Sequence, residues 1–160
     1  MTPEQRFWAK VDKAGPMIDG RPELGPCHLW TASVRDTGYG QIKFEGKNRL
    51  AHRVAWFLEH GEWPAGELDH FACYRHECVN TDHMRDSTHA ENQQNRAGLQ
   101  RNNTTGHPGV SRTRNGTFQV FVSSRGVRHN GGTHPTVEIA GAAARDLRNR
   151  LHTNNLRDRA

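Results

Sequence analysis

The run Leu68-Asp69-His70-Phe71-Ala72-Cys73-Tyr74-Arg75-His76-Glu77-Cys78-Val79-Asn80-Thr81-Asp82-His83 constrains the fold more than any other part of this 160-residue chain. Metal-binding side chains crowd a span too poor in apolar residues to be a core. Burying them unpaired would be costly, so ion coordination is the cheaper arrangement. Cys73-x4-Cys78-x4-His83 has the short spacing that lets one loop wrap a tetrahedral zinc ion. Three ligands do not close a structural site. Cys27 is the remaining thiol, and His76 is the alternative fourth ligand, although its place between the two cysteines makes simultaneous ligation awkward. The competing reading, thiols as small buried hydrophobes, suits this polar loop less well.

Only 33% of the residues are hydrophobic, and a small core of that kind is usually supplemented by disulfides or a metal. Three cysteines, an odd number, favour metal over a disulfide framework. The length fits one medium domain or two small ones. Residues 2–8 are polar and amphipathic rather than secretory, and no run reaches the roughly 18 apolar residues of a membrane span. The expectation is a cytoplasmic protein in a thiol-reducing compartment. Charge is uneven: residues 1–100 hold 12 Lys and Arg against 14 Asp and Glu, whereas residues 101–160 hold 10 Arg, no Lys and three acids. An arginine-only basic third points to phosphates and base edges rather than to a merely solvated tail.

Residues 3–13 carry Phe7, Trp8 and Val11 at the spacing of a short helix entered through Pro3. Cys27-His28-Leu29-Trp30 opens a hairpin, Tyr39–Phe44 alternates as a strand, and Glu45-Gly46-Lys47-Asn48 reads as a turn. Leu50, Val54, Phe57 and Leu58 form a helical stripe over 50–60, ended by Trp63-Pro64. Leu68-Asp69-His70 ends a short strand. A helix over 88–98 is expected, with Thr88 as N-cap and Glu91 completing a capping box. Gln100–Gly106 reads as a polar linker and places the domain boundary, giving units 1–99 and 100–160. Beyond it the pattern is three strands (109–112, 117–122 and near 126–131) and a helix capped by Thr136, with Arg114-Asn115-Gly116 as a tight turn. The third strand is expected to be degraded by Gly131-Gly132 and His134-Pro135.

Asp69 beside His70 suits phosphodiester hydrolysis: the carboxylate binds a hard divalent cation and the imidazole deprotonates a water. Asn92, 22 positions after His70, adds an amide oxygen suited to the same cation. These motifs, together with Cys27-His28-Leu29-Trp30-Thr31, Gly38-Tyr39-Gly40, Ala51-His52-Arg53-Val54, Cys78-Val79-Asn80, His83-Met84 and Glu91-Asn92, resemble the HNH endonucleases of the phage and intron homing type over roughly residues 4–98. The resemblance implies an α+β fold, a zinc-stabilised β-β-α-metal finger followed by a small three-stranded sheet plus helix. It further implies His70 as general base and Asp69 and Asn92 as ligands of a catalytic cation such as magnesium. Cys27, Cys73, Cys78 and His83 are implied as the structural zinc site. Asn80 would brace the loop that orients His70. His89 would be a ligand, a phosphate contact or a helix-surface residue. Arg53 would contact a phosphate and His52 support the site, readings that stand beside a solvated helix face.

Asn103–Ser111, the Arg-Asn-Gly hairpin with Phe118-Gln119-Val120, and the alanine-rich helix resemble the apetala-type DNA-binding domain of plant ethylene-response factors. That domain also occurs fused to HNH nucleases. By this resemblance the sheet docks in the major groove of double-stranded DNA, with Arg112, Arg114, Arg125 and Arg128 toward bases and phosphates. Phe118, Val120 and Val122 would turn to the helix, and Arg145, Arg148 and Arg150 to solvent. The implied activity is a metal-dependent, site-preferring DNA endonuclease leaving 5′-phosphate and 3′-hydroxyl ends. The competing class is a zinc-stabilised DNA-binding protein without catalysis, which has no need of Asp69, His70 and Asn92 together. A zinc hydrolase of small molecules is disfavoured, since no apolar substrate pocket is legible.

Overall fold

The computed structural model describes residues 1–95, 98–153, 155 and 158, and divides into two compact units, Met1–His89 and Ala90–Ala160. In the first unit, helix α1 (Pro3–Trp8) starts at a reciprocal cap: Thr2 Oγ1 accepts from Gln5 N, and the Gln5 side chain returns to Thr2 N. α1 inserts Phe7, fully buried, against the Trp30 ring at 5.2 Å. Strand β1 (Val11–Asp12) pairs with β2 (Leu29–Trp30), and β3 (Gln41–Phe44) with β4 (Lys47–Leu50). The β3–β4 turn is left-handed at both Glu45 (φ 50°) and Gly46 (φ 77°), as a two-residue hairpin requires; Lys47 and Asn48 belong to β4. Gly40 precedes β3 where a Cβ would lie 2.5 Å from the Trp30 ring and 2.9 Å from Ala51 Cβ. Only glycine permits that approach.

Helix α2 (Ala51–His60) is closed by left-handed Gly61, so the helix ends before Trp63-Pro64; Trp63 stacks on Phe57 at 4.6 Å. The core consists of Phe7, Trp30, Phe44, Ala51, Val54, Ala55 and Val79. Strand β5 (Glu67–Asp69) pairs antiparallel with β6 (Arg85–Ser87), in the register Asp69 opposite Arg85. Helix α3 spans His89–Gln94, shorter than the helix expected over 88–98, of which residues 96 and 97 lie outside the described residues.

The second unit is an antiparallel sheet, β7 (Val110–Arg112), β8 (Phe118–Ser124) and β9 (Val127–His134), backed by α4 (Val137–Leu151). Val110, Val120, Ala140 and Ala144 form its core, with Phe118 and Leu147 against them. The third strand is the longest, contrary to expectation. Its glycines accommodate a bulge at Gly131, where the register jumps from Val120–Gly132 to Phe121–Asn130. A Cβ on Gly131 would sit 2.4 Å from Val120 Cγ1 and 3.1 Å from Leu147, so the residue that looked like a strand breaker is what lets helix and sheet close. The stretch at 103–106 is an ordered turn in which Asn103 Oδ1 accepts from Thr105 N and Gly106 N. Among the described residues no helix is long and apolar enough to cross a membrane.

Candidate active site and metal centre

Four side chains from three segments converge in the first unit. Cys27 comes from the loop before β2, Cys73 and Cys78 from the loop after β5, and His83 from the 3-10 turn Thr81–His83. Their donor atoms all lie within 4.8 Å of one another. His83 Nδ1 is 3.6 Å from Cys27 Sγ and 3.5 Å from Cys78 Sγ. Its other nitrogen, Nε2, is 3.1 Å from the Leu24 carbonyl and donates there, which leaves the Nδ1 lone pair for the cluster. Three soft thiols and an imidazole at this spacing could hold a tetrahedral zinc ion. Cys27 is therefore the fourth member. His76 stays outside the cluster, with Nδ1 on the Thr37 carbonyl at 2.8 Å and its ring stacked on Tyr39 at 4.3 Å.

The three thiols differ: one is held toward its thiolate form and two toward their protonated form. A hydrogen bond from the Cys78 thiol, against the opposing effect of burial, draws Cys73 down to about 5. The same hydrogen bond, followed by burial, raises Cys78. Burial raises Cys27, with the Cys73 charge adding to it. Asn80 ties the knuckle together: Nδ2 donates to the Pro26 carbonyl at 2.9 Å, and Oδ1 accepts from Asp82 N at 3.0 Å. The loop it braces carries Cys27 and His83.

Asp69 ends β5 and His70 follows it; both are buried, at 4% and 6% exposed. His70 Nε2 lies 3.0 Å from the Cys78 carbonyl. A carbonyl only accepts, so Nε2 carries the proton and Nδ1 the lone pair. Burial lowers the His70 pKa, opposed by the Cys78 carbonyl and by the charges of Cys73 and Asp69; the ring is a neutral base near neutral pH. Two rings wall it: His52, edge-on at 5.3 Å, and Tyr39 at 6.0 Å. His52 is 5% exposed with an orphaned Nδ1, and burial, followed by the charges of His70, Arg53 and His76, drives its pKa to about 3. His52 thus supports the site from inside α2 rather than from a solvated face. Burial, then Glu67 and Asp69, raises the Tyr39 phenol.

The other expected site residues are placed as follows in the fold. Arg53 does not reach outward: its guanidinium donates to the Gly66 carbonyl at 2.8 Å and the Pro64 carbonyl at 3.0 Å, stapling the loop that leads into β5. Asp86 fastens the same loop by accepting from Ala65 N and Gly66 N. His89, on the exposed surface, has Nδ1 2.7 Å from Glu67 Oε1, at hydrogen-bond distance. Asn92 lies on α3, in the second unit. Sequence reasoning passes over Arg85, whose Nη2 and Nε lie 2.9 and 3.3 Å from Asp69 Oδ2. Only the β5–β6 register exposes that pairing.

In the second unit Phe118, Val120 and Val122 do face the helix side, but the opposite face is not an arginine face. Cross-strand partners share a face, so Ser111, Gln119, Phe121, Ser123, Arg128, Asn130 and Thr133 line it. Arg128, its one arginine, lies 3.7 Å over the Phe121 ring. Arg112 shares the Phe118 face, and Arg114 and Arg125 occupy the two hairpin turns; all four are exposed. Arg145 and Arg150 are exposed as expected, but Arg148 is not: it is 13% exposed, bonded to Asp158 at 2.5 Å and to the Pro108 carbonyl.

The first unit is thus mixed α+β, with a Cys3His cluster that could hold a metal ion and a buried Asp-His pair beside it in sequence. Residues 49–94 match the family model described as HNH endonuclease, which supports a nuclease function with DNA as its substrate. No curated protein and no solved structure matches the chain.

Proposed function

We propose that the chain is a cation-dependent DNA endonuclease of the site-preferring homing or phage type, hydrolysing phosphodiester bonds to 5′-phosphate and 3′-hydroxyl ends. The observation that carries this reading is the His70 contact to the Cys78 carbonyl, next to Asp69. It fixes a neutral imidazole with its basic nitrogen at Nδ1. His70 Nδ1 takes a proton from a water whose oxygen attacks phosphorus, and the bond from phosphorus to the 3′-oxygen breaks. Asp69 is the proposed first-unit ligand of a divalent cation such as magnesium, which when bound would stabilise the charge on the phosphate and the departing oxygen. Cys27, Cys73, Cys78 and His83 are the proposed structural zinc ligands. Their work is to hold the Cys78 peptide against His70, with Asn80 bracing the knuckle from the far side.

We assign the basic second unit, an apetala-like sheet and helix, to gripping double-stranded DNA. Its polar open face with Arg128, and the turn arginines Arg114 and Arg125, support that role. The test is incubation of supercoiled plasmid with wild type and His70→Ala, with and without magnesium. Wild type nicks or linearises the plasmid only with the cation, and His70→Ala binds DNA without cutting it. Cleavage retained by His70→Ala would remove His70 from the chemistry. Binding without any cleavage by wild type would leave the non-catalytic DNA-binding reading.

A further inference from the structure

Both carboxylates on one face of β5 already have a basic partner in the first unit. Glu67 and Asp69 are two apart and point the same way. Glu67 is met by His89 at 2.7 Å, and Asp69 by Arg85 at 2.9 Å. The Arg85 contact is built rather than incidental. Asp69 and Arg85 are direct cross-strand partners. The Asp69 side chain is only 6% exposed and that of Arg85 27%, and the guanidinium lies 5.2 Å over the Phe71 ring. Two of its nitrogens converge on a single carboxylate oxygen, Oδ2, instead of spanning both oxygens as a fork would. Oδ2 is therefore held by the protein while the orientation of the whole carboxylate is set.

We propose that Arg85 is a positioning residue that aims Asp69 and cancels its charge, so that the free protein holds a divalent cation weakly and the DNA phosphate completes the cation site. The inference rests on reading Asp69 as a cation ligand. The repulsion of Arg85 for a divalent ion offsets the attraction of Asp69, so an ion beside the pair meets no net charge from it. The backbone phosphate brings the missing negative charge. Cation and substrate thereby favour each other's binding, a reciprocal coupling. Loading before DNA arrives is suppressed, and the cation binds most tightly where a phosphate lies in place for attack.

The test is titration of manganese alone into the full-length, zinc-loaded protein, followed by calorimetry and by the loss of free-ion paramagnetic resonance signal. The chains compared are wild type, Arg85→Gln, Arg85→Lys, Asp69→Asn and the double variant Asp69→Asn/Arg85→Gln. Arg85→Gln keeps a donor for Oδ2 but loses the charge, and it should bind manganese about tenfold or more tighter than wild type. Arg85→Lys should stay near wild type. Equal or weaker binding by Arg85→Gln, or tightening by Arg85→Lys to the same degree, overturns the proposal. Zinc content and far-ultraviolet dichroism report folding. Should Arg85→Gln fail to fold, wild type titrated with and without a short duplex decides the matter. Manganese binding that depends on Asp69 must strengthen by about tenfold with the duplex, and no strengthening overturns the proposal. A gain in Arg85→Gln that survives in the double variant would instead remove Asp69 as a ligand, a failure of the underlying reading and distinct from a failure of Arg85.

Discussion

Replacing His52 with leucine should remove an acid-sensitive part of the first unit's stability. His52 is 5% exposed, sits between the Tyr39 and His70 rings, and has no partner for Nδ1 among the described residues. Burial drives its pKa from 6.5 to about 3. Between those limits the unfolded chain binds a proton at this site and the native chain does not, so stability rises with pH through the window and is lost as pH falls below 6.5. Each unit of displacement is worth about 1.4 kcal/mol, so going from about pH 7 to about pH 5 costs wild type roughly 2 kcal/mol through His52 alone. Urea unfolding of zinc-saturated protein, followed by tryptophan fluorescence at both pH values, measures this. His52→Leu should lose about 2 kcal/mol less than wild type over the interval, whatever its stability at the higher pH. Protonation of the thiolates and of His70 occurs in both chains and largely cancels in the difference. Identical pH dependence in the two proteins would refute the reasoning.

Three further outcomes are expected. Cys27→Ser should lower zinc content below that of wild type and, by loosening the Cys78 carbonyl that holds His70, reduce cleavage at least about tenfold; nitrogen chemical shifts of His70 report whether Nε2 keeps its proton. Gly131→Ala should destabilise the second unit by about 1–3 kcal/mol, seen as a lower unfolding midpoint, since its Cβ would press on Val120 and Leu147. Changing Arg114, Arg125 and Arg128 together to glutamine should weaken DNA binding and flatten its dependence on salt, the slope falling by about one for each phosphate that is no longer neutralised; an unchanged slope would dismiss these arginines from the DNA interface.

What is legible in the sequence is what depends on spacing along the chain. The quartet of Cys27, Cys73, Cys78 and His83 is open to reading because three of its members share one short loop, and the β-β-β-α order of the second unit because alternation and an Asn-Gly turn are local signals. What escapes depends on partners remote in sequence or on shape. Arg53 reads as a free cation until the Pro64 and Gly66 carbonyls close on it. Arg148 reads as solvated until Asp158 returns to it. Arg85 has no meaning until β6 pairs with β5 and sets it opposite Asp69. Gly131-Gly132 misleads because a bulge that admits a packed helix and a broken strand call for the same residue.

One residue explains why soft and hard donors can share so short a run. Cys78 presents its thiol to the Cys3His cluster and its carbonyl to His70. Its peptide is also stitched to the second strand: Trp30 N donates to the Glu77 carbonyl at 2.9 Å, and Val79 N to the His28 carbonyl at 2.7 Å. A rigid peptide with one face toward sulfur and nitrogen ligands and the other toward an imidazole separates two kinds of chemistry by the width of a backbone. The Cys3His group offers soft donors that could hold a metal ion, whereas the Asp69 carboxylate in the same run is a hard oxygen donor. The knuckle is thus no appendage to the Asp-His pair. It is the wall that gives His70 its tautomer, which is why the two could be compressed into sixteen consecutive residues, from Leu68 to His83.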